Sequence, residues 1–389
     1  MKDDNLGYNV KCYSELEEIY SITDEWRNLV FNSYANWIYS LPEWCLSWYK
    51  ALGRAGSLRI IIVKDKDEKL VGLAPLWKGP GSLSELKVKK GEFISGDQAD
   101  YHDLIIQEGK EESIVPVLLD GITQFIGKVN ILEFKHIPHD SPNLALIRRY
   151  LEAKKTRTFE KQDISPYCLF APTYNEMENS WHSSHIGDIR RQKKRLNKLG
   201  KLELKIYADE KEILNDIEDF FNMHTDKWKS DGYPAMFLNL DNQIFYKEIV
   251  RSIGVKGGVH FSKLMIDDIP ISYHFGFVHN NRFYWYKPAF KKEYKNYSPG
   301  KIHISMLMEV LAQQNLRIFD FLIGDEAYKY QWDVKELFCK TIVVQKYGLK
   351  GFIGYEWLRW GRDMVKNSVN EKYLRKIIAL YIEGRKINK

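Results

Sequence analysis

Apolar and polar positions alternate most clearly in two hairpin-like stretches, one in each half of the chain. The first joins Leu58–Lys64 to Lys69–Trp77 through Asp65-Lys66-Asp67-Glu68. The second joins Val259–Ile266 to Ile269–Val278 through Asp267-Asp268. β-Branched runs interrupted by an acidic turn predict antiparallel hairpins. Around the first lie a helical region over residues 14–50, rich in tryptophan (Trp26, Trp37, Trp44, Trp48), and strands near Glu92–Ser95, Asp103–Gln107, Ile131–His136 and Tyr167–Phe170. Helices are expected at Glu111–Ile126 and Leu144–Lys154.

The second half repeats the style. A basic helix over Ile186–Leu199 leads to a strand at Leu202–Ala208 and helices at Glu210–Lys229 and Asn242–Ser252. After the hairpin come a strand at Arg282–Phe290, a helix from Pro299 to Gln314, a strand at Ile318–Ile323 and a helical turn over Glu326–Trp332. A strand at Cys339–Tyr347 and a long helix over Tyr355–Glu383 end the chain. The pattern is α+β with mostly antiparallel sheets. At 389 residues it suits two domains. The polar stretch Pro172–Ser180 places the expected boundary at 1–175 and 176–389.

Composition narrows the class. Hydrophobic residues at 44% and aromatics at 14% exclude a disordered chain. The net charge of +6 is a small excess of 58 basic over 52 acidic residues, so a polyanionic partner is not implied and none of nucleic-acid type is expected. Cys12, Cys45, Cys168 and Cys339 stand apart, without the spacing of a zinc site, so no metal is expected. The opening residues are polar and no stretch reaches the roughly 18 apolar residues of a membrane span. A cytoplasmic protein without stable membrane insertion is expected. Seven Lys or Arg within residues 190–201 lie outside the apolar stripe Ile186, Ile189, Leu196 and Leu199, as on a solvated helix face or a phosphate contact. In the last helix, Trp357, Trp360 and Ile377–Ile382 mix with Arg359, Arg362, Lys366, Arg375 and Lys376; it docks on its own domain or touches a membrane surface.

Three segments carry candidate chemistry. Tyr297-Ser298-Pro299-Gly300-Lys301-Ile302-His303 lies between a strand and a helix. Ser298 suits an N-cap, Pro299 the first helical position, and Gly300 a close backbone approach. Free amides of that first turn would seat a pyrophosphate, with Lys301 and His303 adding side-chain contacts. An ordinary capped helix start accounts for the same residues. A Walker A loop is excluded because Ile302 follows Lys301, and Gly254, Gly257 and Gly258 precede a strand where a dinucleotide fingerprint would open a helix. Downstream, Gly324-Asp325-Glu326-Ala327-Tyr328-Lys329-Tyr330 crowds ionisable groups at a strand end, a setting for acid–base work. Asp325 capping a helical turn with Lys329 as its i,i+4 partner is the plainer account. In the first half, Asp97-Gln98-Ala99-Asp100-Tyr101-His102-Asp103 forms a rival site or a solvated loop, with His102 between acids as a base.

Taken together, Trp26, Leu41-Pro42-Glu43-Trp44, Leu73-Ala74-Pro75-Leu76, Arg190–Leu196, Gly200, His224, Trp228, Tyr294–Lys301 and Gly324–Trp332 resemble the BioF2-like (CelD-type) GNAT acyltransferases, relatives of the FemAB aminoacyl transferases. The resemblance covers most of the chain. It implies two tandem GNAT-like domains, each a mostly antiparallel mixed sheet flanked by helices, with acyl-CoA as co-substrate of the C-terminal one. Ser298, Pro299, Gly300, Lys301, Ile302 and His303 would then bind the cofactor. Tyr286 and Lys287, within the strand stretch Tyr284–Pro288 whose backbone serves the oxyanion, would join them. Glu326 is the first candidate base and Asp325 the second, with Tyr328 or Tyr330 protonating the leaving thiolate and His102 as the alternative. Asp100, Tyr101, Asp103, His224, Trp228 and Lys329 would face the acceptor, although His224 read alone suits a core histidine. The implied activity is acyl transfer from coenzyme A to a nucleotide-linked (dTDP-type) deoxyamino sugar for surface polysaccharides. The alternatives are a FemAB-like aminoacyl transferase for cell-wall precursors, for which no long inserted helical pair is visible, and a non-catalytic subunit of polysaccharide synthesis. The oligomeric state is not fixed by the sequence.

Overall fold

The computed structural model describes residues 7–81, 88–356 and 358–359. Chain contacts divide them into two compact units. The first holds Gly7–Asp163 and the described residues from Leu337 on; the second is Ile164–Glu336.

The first unit contains β1 (Asn9–Tyr13), β2 (Ser57–Lys64), β3 (Leu70–Pro80), β4 (Lys89–Phe93), β5 (Ile105–Ile106), β6 (Ile131–Pro138) and the opening half of β7 (Thr158–Leu169). From far along the chain it also takes β13 (Lys335–Gln345). The sheet order is β1-β2-β3-β4-β6-β13-β7, with β5 on β3. Its helices are α1 (Leu16–Tyr20), α2 (Thr23–Phe31), α3 (Pro42–Trp48), α4 (Glu111–Phe125), α5 (Pro142–Ala153) and α11 (Gly348–Glu356). β4 and β6 run parallel with α4 on the connection between them, and their apolar faces share one core with Ile61, Phe93, Ile114, Leu118, Phe134 and Ile147. Gly121 lets α4 close on the sheet, where a Cβ would lie 2.9 Å from Val10.

The second unit contains the rest of β7, then β8 (Leu202–Ile206), β9 (Val259–Ile266), β10 (Ile269–His279), β11 (Arg282–Phe290) and β12 (Ile318–Asp320), in the order β7-β12-β11-β10-β9-β8. Its helices are α6 (Tyr174–Ser180), α7 (Ser183–Asn197), α8 (Glu210–Ser230), α9 (Leu240–Ser252) and α10 (Pro299–Leu311). Strand alternation sends Phe283 and Trp285 of β11 into a core with Ile189, Leu196, Ile302 and Leu307 of α7 and α10. Tyr286 points the other way and stacks on Tyr246 of α9. α8 is well started: the Asp209 side chain accepts from the amides of Lys211 (2.8 Å) and Glu212 (3.1 Å).

The α+β class and both hairpins match the expectation, and β11 has the expected bounds. Several boundaries differ. The division falls inside β7, not after residue 175, because residues 158–169 form one extended strand whose first half carries more polar than apolar side chains. Residues 14–50 hold three short helices in place of one region, and β12 stops at Asp320 where Leu322 adopts a left-handed φ of 63°. Of the final helix, only the part to Glu356 is described as α-helix. Trp357, Trp360, Arg362, Lys366, Arg375, Lys376 and Ile377–Ile382 lie outside the described residues.

Candidate functional site

In the second unit, β11 and β12 pair in parallel only over Arg282–Tyr284 and Ile318–Asp320. Beyond that point β11 continues to Phe290, and among the described residues no strand pairs with its β12 side. The sheet therefore opens as a wedge. Its apex is fixed by a buried ion pair, Arg282 Nη1 to Asp320 Oδ2 at 2.5 Å, while Asp320 Oδ1 also accepts the Leu322 amide at 2.8 Å. Buried charges are retained only when paired in this way.

One wall of the wedge is the loop after β12. Lys329 is almost fully buried and donates to the carbonyl oxygens of Leu322 (2.9 Å), Ile323 (3.2 Å) and Gly324 (3.1 Å), while pairing with Glu326 at 2.8 Å. Its donors are spent inside the loop, so it holds the loop's shape and does not face an acceptor. Asp325 and Glu326 stand exposed beyond it. The plainer helix-cap account also fails: the pairing is Glu326–Lys329, three residues apart, and only Lys329–Gln331 form a 3-10 turn. Tyr330 is exposed and bonds Glu336 at 3.0 Å.

The other wall is β11. A bulge in β10 between Phe275 and Phe277 leaves the Tyr286 amide without a ladder partner, and His274 Nε2 accepts it at 3.1 Å. Burial holds the imidazole well below its ordinary pKa, so it is neutral, and its ring stacks on Trp285 with centroids 4.1 Å apart. The Tyr286 N–H is thus committed, and its phenol meets Tyr246 Oη at 3.2 Å. The Lys287 ammonium lies 4.1 Å over the Tyr286 ring. His224, buried and lowered to about 3 by desolvation and then by the charges of Lys287 and Lys227, stacks on Trp228. His224 is therefore a neutral core residue near the wedge.

The turn before α10 differs from its expected form. Ser298 adopts a left-handed conformation (φ 53°) and its side chain makes no capping bond. Ile302 and Pro299 are buried. His303 is wholly buried between Ser272 (Nδ1, 3.0 Å) and Ser262 (Nε2, 3.0 Å), lowered to about 3 by burial, and cannot touch a pyrophosphate at the turn. Gly300 is open, with Phe290 the nearest atom to a built Cβ at 3.8 Å. The amides of Gly300 and Lys301 have no partner within the helix, as helix geometry requires. Lys301 pairs with Asp188 of α7 at 2.7 Å.

That ion pair borders a cavity of about 660 Å³ lined by His182, Ser184, His185, Asp188, Lys301, Tyr330 and Asp333. The cavity brings Lys301 and Tyr330 together from two separate sequence segments. Two helices begin on it, α7 and α10, and each offers the positive end of its dipole. His185, buried and lowered to about 4 by desolvation and then by Lys301, has no hydrogen bond at Nε2 among the described residues. Asp188 and His185 escaped the sequence reading because they lie just ahead of the basic run 190–201; an acid placed immediately before that run is the signal for Asp188, and His185 has none.

The first-unit candidates do not form a comparable site. His102 is buried, bonds the Ile94 carbonyl at 3.2 Å, stacks on Phe93 and is lowered to about 3 by burial, so it is a neutral core histidine and no base. Asp103 accepts from Ser141 Oγ (2.5 Å), Asn143 Nδ2 (3.0 Å) and the Leu104 amide (2.7 Å), anchoring the start of α5. Tyr101 packs on Trp37 at 4.8 Å, and Asp100 meets Tyr39 at 3.5 Å. Among the described residues there is no cluster of side chains suited to a metal ion, and no helix is long and apolar enough to cross a membrane.

Residues 183–330 match the acetyltransferase (GNAT) domain, a span running from the first turn of α7 to Tyr330 and so covering the wedge and most of the cavity. No curated protein matches the chain. Among solved structures the chain is similar to FemX, at 12% identity over 82% of this chain and 95% of FemX, with a TM-score of 0.60. It is similar to a tandem GNAT protein from the clavulanic acid biosynthesis pathway, at 8% identity, 87% and 100% coverage and a TM-score of 0.50. A conserved protein of unknown function from Bacteroides thetaiotaomicron aligns at 10% identity, with the same coverage and a TM-score of 0.50. At such identities the likeness is one of fold, and it is a GNAT-like fold.

Proposed function

We propose that this chain transfers an activated acyl or aminoacyl group to an amine, in the manner of the FemAB-like transferases. The observation that carries the reading is the wedge between β11 and β12, inside a segment that matches the acetyltransferase domain. An extended acyl ester or thioester laid in the wedge can bond to unpaired strand backbone, which is how an oxyanion is stabilised by fixed amides. Because the Tyr286 amide is held by His274 and Pro288 has no N–H, the donor must come from Trp285, Lys287 or Ala289. The amine nitrogen attacks the carbonyl carbon, a C–N bond forms, and the C–O or C–S bond to the donor breaks. The amine's proton passes to a base and the leaving group takes up a proton. Glu326 is the base we assign, with Asp325 beside it, since both are exposed at the wedge. Tyr330 stays on the cavity margin as the acid.

The likeness to FemX across 95% of that chain supports the FemAB-like side of the resemblance over a nucleotide-sugar acceptor. The second reading, acyl transfer from coenzyme A to a nucleotide-linked deoxyamino sugar, draws on the Lys301 turn and the two helix starts at the 660 Å³ cavity. Purified protein should consume aminoacyl-tRNA or acetyl-CoA when an amine acceptor is present, followed as ester loss or thiol release. Glu326→Gln should lower kcat by about 10²-fold or more with donor KM unchanged. Donor binding without turnover by any amine would instead mark a non-catalytic subunit, and no binding of either donor would overturn the proposal.

A further inference from the structure

α11, in the first unit, is turned inside out relative to an ordinary surface helix. The residues it buries are Gly351, Gly354 and Tyr355. A Cβ on Gly351 would lie 2.8 Å from the Asn130 carbonyl oxygen, and one on Gly354 would lie 2.7 Å from the Ile131 side chain. The glycines therefore let the helix backbone sit directly against the start of β6. Tyr355 packs beside them with Val88, Ile131 and Val343. With backbone filling that face, the large apolar residues of α11 have no core to enter. Leu349, Phe352 and Ile353 stand at i, i+3 and i+4, a single stripe on the outer face, and all are exposed, Leu349 by 74%. Tyr347, just ahead of the helix, is 60% exposed. A surface helix normally turns such residues inward, and a contiguous apolar stripe left in solvent marks a contact surface.

The charge around the stripe has one sign. Glu356 is the only acid of α11, and it is paired with Arg157, whose guanidinium lies 5.2 Å from the Phe352 ring centroid. Among the described residues, Lys346 and Lys350 have no ion-pair partner. The sequence extends the same bias. Residues 346–389 hold eleven Lys or Arg against four Asp or Glu, a net +7, while the whole chain carries +6, which leaves residues 1–345 at −1. The entire positive excess of the protein thus belongs to the stretch that begins at the exposed stripe. Trp357, Trp360, Tyr373 and Tyr381 are interspersed with those cations, a mixture suited to the boundary between water and lipid.

We propose that this face docks the protein on the surface of an anionic lipid bilayer. Leu349, Phe352 and Ile353 enter the boundary between headgroups and acyl chains, and the basic residues of 346–389 meet the lipid phosphates. Both features are needed for such binding: burial of an apolar face holds the protein to the bilayer, and the negative surface potential draws the cations to it. A second copy of the chain fits less well, because it would bring together two ends of the same strong charge. A nucleic acid would answer the charge alone, since its phosphate backbone offers the apolar stripe nothing. The inference is independent of the transferase reading and stands or falls without it.

Flotation of the full chain with lipid vesicles tests it. Vesicles of phosphatidylcholine with about 30% phosphatidylglycerol should bind the protein about tenfold or more tightly than phosphatidylcholine alone. That binding should fall about tenfold as NaCl rises from about 0.1 to 0.5 M. The double variant Leu349→Glu/Phe352→Glu should weaken it about tenfold or more and keep the parent Tm, because both side chains are exposed and lie outside the core. Lys366→Glu/Lys376→Glu should weaken it to a similar degree through charge alone. Equal binding to the two vesicles, no binding to either, or an apolar double variant that floats like the parent would overturn the proposal. With no vesicle binding, the same measurements reassign the surface. A concentration-dependent dimer dissolved by Leu349→Glu/Phe352→Glu would give the face to a second copy. Salt-sensitive binding of tRNA would give the charge to RNA, and a lower Tm on removal of residues 360–389 would give the face to that segment.

Discussion

Lys329 shows how a single residue can look functional in sequence and be structural in place. A lysine among two acids and two tyrosines suggests an active centre, yet its ammonium is consumed by three consecutive carbonyls and Glu326. Lys329→Met would leave those carbonyls without their donor in a buried setting. Each unsatisfied buried group costs about 1–3 kcal/mol, and partial relaxation brings the expected total to about 2–4 kcal/mol. Urea denaturation measures it, with faster hydrogen exchange over Leu322–Tyr328 as the local sign. A raised acceptor KM with unchanged stability would show instead that the side chain faces substrate. Asp103 makes the same point in the first unit, where three donors surround one carboxylate that burial pushes up to about 7.

At the level of elements, periodicity carried most of the information. β11 and both hairpins were legible because alternation of apolar and polar residues is a local property. The opening half of β7 was not, since Thr158–Asp163 shows few apolar side chains and is strand by virtue of its neighbours. The start of α10 was legible in position but not in chemistry. Ser-Pro-Gly placed the helix correctly, while the left-handed Ser298 depends on how the preceding Lys292–Tyr297 turn arrives. The wedge likewise needs the pairing of β11 with β12, which no single segment encodes. Because Ser298 makes no capping bond and sits at φ 53°, Ser298→Gly should stabilise the protein by about 1 kcal/mol, the cost of a left-handed non-glycine residue. Thermal unfolding checks this. A loss of stability would restore the capping role first assigned to that hydroxyl.

For the whole molecule, the two units carry buried titrating groups of different kinds, and this predicts different responses to acid. The second unit buries His224 and His303, each lowered to about 3, His185, His260 and His279, each lowered to about 4, and His274, held well below its ordinary value, with desolvation the main cause throughout. A histidine lowered on folding is neutral in the native state while its unfolded counterpart takes a proton below about 6.5, so the unfolded state binds more protons and stability falls as pH drops from there toward the folded value. Between pH 6.5 and 5 each such residue removes up to about 2 kcal/mol, and all six act in one direction. The first unit opposes its one comparable residue: His102, lowered to about 3, loses stability over this window, but Asp103, raised to about 7, is protonated in the native state and gains stability as pH falls from 7 toward 4. The two nearly cancel. Hydrogen exchange at pH 7 and pH 5, corrected for intrinsic rates, should therefore show protection collapsing across β8–β11 and α8–α10 while β2–β6 and α4 change little. Equal loss in both units would mean that they unfold as one cooperative body, and the separate proton balance would then not govern either.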